Sequence, residues 1–355
     1  MPDGADFLNG LVCPAPRTDH DYVLLGHGSG GRMSADLLKR VFLPAFDNAI
    51  LGALEDQATL ALGEGPVRLA FTTDSFVVRP LFFPGGDIGK LAVCGTVNDL
   101  AVGGAKPLFL SAAFILEEGL PLADLKRIVT SMRETCATIG VTIVTGDTKV
   151  VDRGKGDGVF ITTSGIGVIP DGVELSIRQP RPGDRLIVSG TIGDHGIAIM
   201  SVREGLEFET VLASDCAPLA DLTDTMLRAC PRIRWMRDPT RGGLSSALNE
   251  LAGAANVGVT LEERALPIRR EVRAACELLG LDPLYVANEG KLIAAVPEGE
   301  VDQLLNAMRR HPLGENAALI GSVVADHPGL VTMKTLIGGE RLVTMLAGEQ
   351  LPRIC

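Results

Sequence analysis

Positive charge is in short supply in this chain. Lys and Arg number 33 against 44 Asp and Glu, a formal net charge of -11 with a pI near 5.0. A protein that binds nucleic acid through the phosphate backbone needs a basic footprint, so that class is excluded. Aromatic residues are also few, with one Trp and two Tyr, while hydrophobic residues make up 46% of the chain. The core is therefore expected to be aliphatic. The seven cysteines contain no Cys-x-x-Cys pair and the five histidines are scattered. That pattern excludes a zinc-finger type site and suits free thiols in a reducing compartment. No apolar run approaches the length needed to span a bilayer, and the acidic start Met1-Pro2-Asp3-Gly4-Ala5-Asp6 is unlike a secretory leader. A soluble, cytoplasmic protein is expected, and 355 residues make two domains the expectation.

Glycine is what the chain has in abundance, at 42 residues. The run Gly26-His27-Gly28-Ser29-Gly30-Gly31-Arg32 lies between a short expected strand (21–25) and an expected helix (34–46). Gly26, Gly28 and Gly31 formally satisfy G-x-G-x-x-G. A dinucleotide fold would continue into a second apolar strand ending in an acid, whereas residues 48–52 are a broken segment. A Walker A loop is excluded because no Gly-Lys-Ser/Thr follows. Two readings stand at this point: backbone N–H groups facing an anion ahead of a helix start, or a plain flexible loop.

Beyond this loop, strands and helices alternate. Strands are expected at 67–73, 107–116, 141–145 and 158–169, with helices at 88–102 and 122–139. Asp74 and Asp147 fall at the ends of expected strands, and Asn98-Asp99 lies in the helix between them. Each acid alone reads as a turn residue or cap. Together with Lys149 they suit a magnesium–phosphate site built from several loops. The Pro-rich segment 170–183 marks a domain boundary. After it come a strand at 185–189, a glycine-rich turn carrying His195, which is read as a cap or turn residue, and helices at 218–229, 243–252, 273–279 and 301–308. A strand at 292–296 and three closing strands complete the second half. Glu289 reads equally as a general base and as a solvated turn acid.

The chain ends Leu351-Pro352-Arg353-Ile354-Cys355. A terminal segment is ordinarily exposed, so the thiol of Cys355 is expected to be reachable. Arg353 is expected to favour its ionisation. A prenylation signal is excluded, because the cysteine is the last residue.

Taken with Thr73-Asp74-Ser75, Asn98-Asp99-Leu100-Ala101, Gly146-Asp147-Thr148-Lys149-Val150-Val151, Asp238-Pro239-Thr240-Arg241-Gly242-Gly243 and Ala287-Asn288-Glu289-Gly290, these features resemble the HypE family, the carbamoyl dehydratases of nickel-iron hydrogenase maturation. The wider superfamily includes aminoimidazole ribonucleotide synthetase, selenophosphate synthetase and thiamine-monophosphate kinase. The likeness runs from about residue 20 to the end and leaves residues 1–19 as an extension. It implies an α/β, two-domain PurM-like fold. Residues 20–170 would form an N-terminal dimerising sheet domain that binds ATP, residues 171–346 a mixed sheet covered by helices, and residues 347–355 a mobile tail.

The resemblance also implies a chemistry. ATP would lie in the cleft under Gly28, Ser29, Gly30 and Gly31. Mg²⁺ would be held by Asp74, Asp99 and Asp147 with Asn98 assisting, and Asp238 would belong to the nucleotide site. Cys355 would carry a carbamoyl group delivered by the carbamoyltransferase HypF. Its dehydration to a thiocyanate, with Glu289 or Lys149 removing the N–H protons, would supply cyanide to the HypC–HypD complex. Phosphorylating the carboxamide oxygen replaces a very poor oxide leaving group with phosphate, which explains the need for ATP. The alternatives are a small-molecule ATP-dependent synthetase or kinase of the same superfamily, a nicotinamide dehydrogenase using only Gly26 to Gly31, and a non-catalytic scaffold.

Overall fold

The computed structural model describes residues 31–43, 50–61, 67–205, 212–346, 351 and 353–355. A short helix, α1 (Arg32–Leu37), continues as a π-helical segment to Phe42. A five-stranded sheet follows, built from β1 (Ala58–Ala61), β2 (Arg68–Phe76), β5 (Lys106–Glu117), β6 (Thr142–Val151) and β7 (Val159–Ile169) in the order β1-β2-β7-β5-β6. A small hairpin of β3 (Phe82–Phe83) and β4 (Gly86–Asp87) intervenes. Every pairing in the large sheet is antiparallel except β5 with β6.

Side chains alternate across a strand, and here the alternation decides function. On β2, Ala70, Thr72 and Phe76 are buried on an inner face, whereas Phe71 points outward and is 41% exposed. Phe109, Ile115 and Ile166 stand exposed on the same outer face. The inner face is covered by α2 (Ile88–Val102), whose N-cap Asp87 accepts hydrogen bonds from the N–H groups of Gly89 (2.8 Å) and Lys90 (3.2 Å). This helix is buried on nearly all sides, because β2 and β7 flank it, α3 (Leu122–Ile139) packs beside it, and α5 (Ala220–Ala229) reaches it from the second half of the chain. Such a helix is apolar all round because no side of it meets water.

The second sheet has seven strands, β8 (Asp184–Val188), β9 (Trp235–Arg237), β10 (Gly258–Glu262), β11 (Ile293–Pro297), β12 (Ala318–Val324), β13 (Val331–Lys334) and β14 (Glu340–Leu342), in the order β14-β13-β10-β12-β8-β11-β9. It is mixed, since β10 and β13 run parallel. Helices α4 (Asp194–Glu204), α6 (Gly243–Ala255), α7 (Arg270–Leu279) and α8 (Val301–Arg309) join α5 around it. Leu186 and Val188 of β8 belong to the core with Leu244, Leu248 and Leu251 of α6. Ile187 between them belongs to the opposite core, with Leu222 and Met226 of α5 and Leu304 and Met308 of α8. Burial on both faces is why this strand reads as a continuous apolar run.

The structure corrects two readings of the acids. Asp74 lies inside β2 and Asp147 inside β6, not at strand ends. Cross-strand pairing of Asp74 with Thr163 and of Asp147 with Ala113 carries both strands past the points where local composition breaks. Strands β9 and β10, which had no clear signal in the sequence, are likewise supplied by pairing partners distant in the chain, and β1 by the strand that follows it. Among the described residues, no helix is long and apolar enough to cross a membrane.

Candidate active site

Three carboxylates converge where the two halves of the chain meet. Asp56 precedes β1, Asp99 projects from α2 and Asp238 follows β9, and each offers an oxygen within 4.8 Å of the others. Asp74 approaches from the inner face of β2, close enough to raise the pKa values of Asp99 and Asp238. The Thr72 hydroxyl lies 2.8 Å from Asp99 Oδ2, and Arg237 Nε lies 2.9 Å from Asp56 Oδ1. Burial pushes Asp56 up to about 7 against the pull of Arg237, and Asp238 and Glu250 add to the rise. Asp238 is likewise raised to about 6. Asp99 is raised well above the ordinary range by burial and then by Asp238, Asp56 and Asp74. Acids crowded in this way favour protons unless a cation joins them. An all-oxygen set with no nitrogen or sulfur donor fits a hard divalent ion such as Mg²⁺. Asp56 also lines a cavity of 380 Å³ with Gln57, Arg68, Val102, Gly103 and Trp235.

Beside the acids, the segment Asn288-Glu289-Gly290 is held on every side. Asn288 Nδ2 donates to the carbonyl of Pro239 (2.9 Å), and its Oδ1 accepts from Gly193 N (2.7 Å). The Glu289 N–H donates to Asp215 Oδ1 (3.1 Å). A Cβ at position 290 would lie 1.9 Å from the carbonyl oxygen of Asp215, so only glycine lets the chain pass here. The result is a fixed, buried Glu289 whose Oε1 has no hydrogen-bond partner among the described residues. Burial raises its pKa well above the usual carboxylate range, and Cys216, Asp238, Asp74 and Asp215 add to the rise.

The chain end enters this place. Ile354 is buried at 4% exposure in the core that also holds Phe76, Phe83 and Ile199, and Cys355 packs against the same core. The thiol lies close enough to Glu289 for that carboxyl to raise its pKa. Arg241, on the loop before α6, faces Cys355, Asp74, Glu289 and Asp99 at once. Burial lifts the Cys355 pKa well above its ordinary value, Glu289 lifts it further, and Arg241 opposes the rise only in part. The sulfur is therefore held neutral. The expectation of an exposed thiol activated by Arg353 is corrected: Arg353 turns away to pair with Asp157 at 3.0 Å, and the cation that faces Cys355 is Arg241.

Of the residues singled out from the sequence, the structure brings together Asp74, Asp99, Asp238, Glu289 and Cys355. It sets Asp147 and Lys149 apart. Asp147 pairs in register with Ala113 and Lys149 with Ile115, on the sheet's outer face, while Asp74 pairs with Thr163 on the inner one. Lys149 Nζ lies 2.8 Å from Asp147 Oδ2, with both side chains exposed. In a single chain, Asp147 is therefore no co-ligand of Asp74 and Asp99. Asn98 is also otherwise engaged. Its Oδ1 accepts from Leu219 N (2.8 Å) and its Nδ2 donates to Ala217 O (3.1 Å), pinning α2 to the second half of the chain. Gly28, Ser29 and Gly30 lie outside the described residues. Gly31 caps α1 against Leu346, whose carbonyl accepts from Arg32 N at 2.8 Å. Sequence reasoning missed Asp56, which sits in no motif, and His195, which is buried under the tail. Arg241 stood within the motif from Asp238 to Gly243, but nothing in its spacing singled it out.

The two sheet domains place this chain in the AIR synthase related class. Residues 54–169 match the model for the N-terminal domain of AIR synthase related proteins, and residues 181–334 match that for the C-terminal domain. The chain is 59% identical over 329 residues to a carbamoyl dehydratase HypE of Azotobacter vinelandii, covering 93% of this chain and 96% of that protein. Two solved structures are similar across nearly their whole length. One is a HypE–HypF complex, with a TM-score of 0.83 and 49% identity over 87% of this chain and 99% of that one. The other is HypE in complex with ATP, with a TM-score of 0.79 and 50% identity over 94% and 100%. The chain belongs to the HypE family of carbamoyl dehydratases.

Proposed function

We propose that this protein dehydrates a carbamoyl group carried on its own Cys355, converting the S-carboxamide to an S-cyano group at the expense of ATP. The observation that carries this reading is the seating of Cys355 against Glu289 and Arg241, beside the cluster of Asp56, Asp99 and Asp238. A pocket that holds sulfur and carboxyl neutral is poorly suited to making a thiolate attack. It is well suited to an S-carbamoyl group, which is uncharged and costs little to bury. Loading then belongs to a state with the tail outside, on a carbamoyltransferase such as the HypF found in the related complex.

ATP bound with Mg²⁺ supplies a phosphoryl group that turns the carboxamide oxygen into a phosphate leaving group. Asp56, Asp99 and Asp238 would hold the cation, with Asp74 and Arg241 setting the charge around it. Glu289 takes one N–H proton as the carbon–nitrogen bond becomes double, passes it to solvent, and takes the second as phosphate leaves and the bond becomes triple, its raised pKa making it a competent base near neutral pH once the site carries the cation. The divisions 20–170, 171–346 and 347–355 then correspond to nucleotide site, second sheet and carrier tail. The exposed apolar face with Phe71, Phe109, Ile115 and Ile166 suits a second copy. A homodimer would place Asp147 and Lys149 at that interface, so any part they play is toward a neighbour's cleft. Delivery of cyanide to a HypC–HypD complex in the cytoplasm completes the proposal.

The test is intact-mass analysis of the protein with HypF, carbamoyl phosphate and Mg-ATP. A carbamoyl adduct on Cys355 that then loses the mass of one water supports the reading. An adduct that never loses water, or full turnover by Cys355→Ala, overturns it.

A further inference from the structure

The seat of the chain end is built to read backbone. The N–H of Val77 donates to Cys355 O at 3.0 Å and that of Arg79 donates to Arg353 O at 3.2 Å. Two residues forward on one segment are two residues back on the other, so the tail lies antiparallel to the segment just past the end of β2, with a turn at Arg353, whose φ is 55°. Between those bonds, His195 Nε2 donates to Ile354 O at 2.7 Å, and Arg203 adds a second bond to Arg353 O. Two consecutive peptide carbonyls of the tail and an oxygen of its terminal carboxylate are thus each received by the body of the protein. The Ile354 side chain is also taken into the apolar core beneath.

The receiving groups are also anchored within the body of the protein. Val77 and Arg79 follow directly on β2. His195 Nδ1 accepts from the Ser214 hydroxyl (2.8 Å), and that hydroxyl oxygen in turn accepts from Cys216 N (3.0 Å). Ser214 N is tied to Pro84 O at 2.8 Å. This chain of bonds fixes the neutral imidazole with its proton on Nε2, and burial, the largest influence on the ring, disfavours its charging. Phe83 meets the ring edge to face, with centroids 5.6 Å apart.

We infer that this seat is a binding site for a C-terminal peptide as such: a segment that turns at its third-last residue and ends in an aliphatic residue and cysteine, taken from solution as readily as from the protein's own end. Main-chain bonds provide affinity and one side-chain pocket provides selection. The inference rests on the proposed function only for the natural occupant of the seat. Binding of unmodified peptide needs neither ATP nor a carbamoyl group, so its failure and a failure of the dehydratase reading are separately visible.

The experiment uses the chain ending at residue 350 and a fluorescent peptide ending Leu-Pro-Arg-Ile-Cys with a free carboxylate, followed by anisotropy. Saturable binding is expected. An Ile→Asp peptide and the His195→Leu protein should each bind at least about tenfold more weakly, and His195→Gln, which keeps a donor at the same reach, should recover most of the loss. No saturable binding by a folded shortened chain, or equal binding of the Ile→Asp peptide, overturns the inference. Should the shortened chain not fold, the intact protein decides the matter. A tethered tail acts at an effective concentration of about millimolar, so millimolar peptide carrying Ser for Cys should raise the alkylation rate of Cys355 severalfold, located by mass spectrometry. An unchanged rate overturns the inference equally.

Discussion

Thr72 Oγ1 stands 2.8 Å from Asp99 Oδ2 and 3.0 Å from the backbone carbonyl of Asp56. A hydroxyl has one proton. That proton is shared between Asp99 Oδ2 and the Asp56 carbonyl, and its donation to Asp99 draws that acid's pKa down against the rise that burial causes. One strand residue thereby sets the separation of two cluster members.

Replacing Thr72 with Val removes this tie while preserving shape. Magnesium-dependent ATP binding should weaken about three- to tenfold, the worth of one hydrogen bond near a charge, with little change in the melting temperature. Titration calorimetry with and without Mg²⁺ measures it, and unaltered affinity would remove Thr72 from the site.

Asp56→Asn, Asp99→Asn and Asp238→Asn should each lower thiocyanate formation by about a hundredfold or more, while carbamoyl loading of Cys355 continues. Asp147→Asn should leave the cluster of its own chain intact. Mixing Asp147→Asn with Cys355→Ala tests whether Asp147 serves a neighbour: dehydration above that of either variant alone is expected if it does. A mixture no better than its parts would confine Asp147 to a surface pair with Lys149.

Glu289→Gln should keep the fold, because the native carboxyl is already held neutral when the tail is seated unloaded. Conversion of carbamoyl to cyano should fall by about 10²- to 10⁴-fold, as for loss of a general base. Intact-mass kinetics at fixed carbamoyl loading give the readout. Wild-type conversion would shift the proton transfer to another group.

The acid cluster makes stability depend on pH with a definite sign. Asp56 and Asp238 titrate near about 7 and 6 in the folded chain, above their unfolded value of 3.8. The folded state therefore binds more protons, and stability present at low pH is lost as pH rises through that window. In thermal unfolding without divalent ions, this part of the stability should decline between about pH 4 and 7. Added Mg²⁺ competes with those protons, so its stabilising shift should be larger at about pH 8 than at about pH 5. A shift independent of pH would mean that the cation binds elsewhere.

Much of the architecture was legible locally. The period of apolar residues placed α3, and the family resemblance carried by the acidic and glycine-bearing motifs assigned Asp74, Asp99, Asp238 and Glu289 to one chemistry. Local pattern failed where pairing partners are far apart. β6 extends through Gly146 and Asp147 because β5 lies alongside. Asp56 joins the acids only because the loop before β1 is brought beside α2 and the segment after β9.

What the amino-acid sequence determined by itself is the inventory: an aliphatic two-part α/β chain, carboxylates in recurring motifs, and a thiol on its last residue. Which of those groups meet was decided by tertiary structure. Side chains alternate with a period of two along a strand, so Asp74 and Asp147 fall on opposite faces of one sheet through a register that only pairing sets. Whether a terminal thiol is charged and exposed or neutral and partly buried depends on its surroundings, and Cys355 acquires Glu289 and Arg241 as neighbours only when both sheets and the chain end are in place.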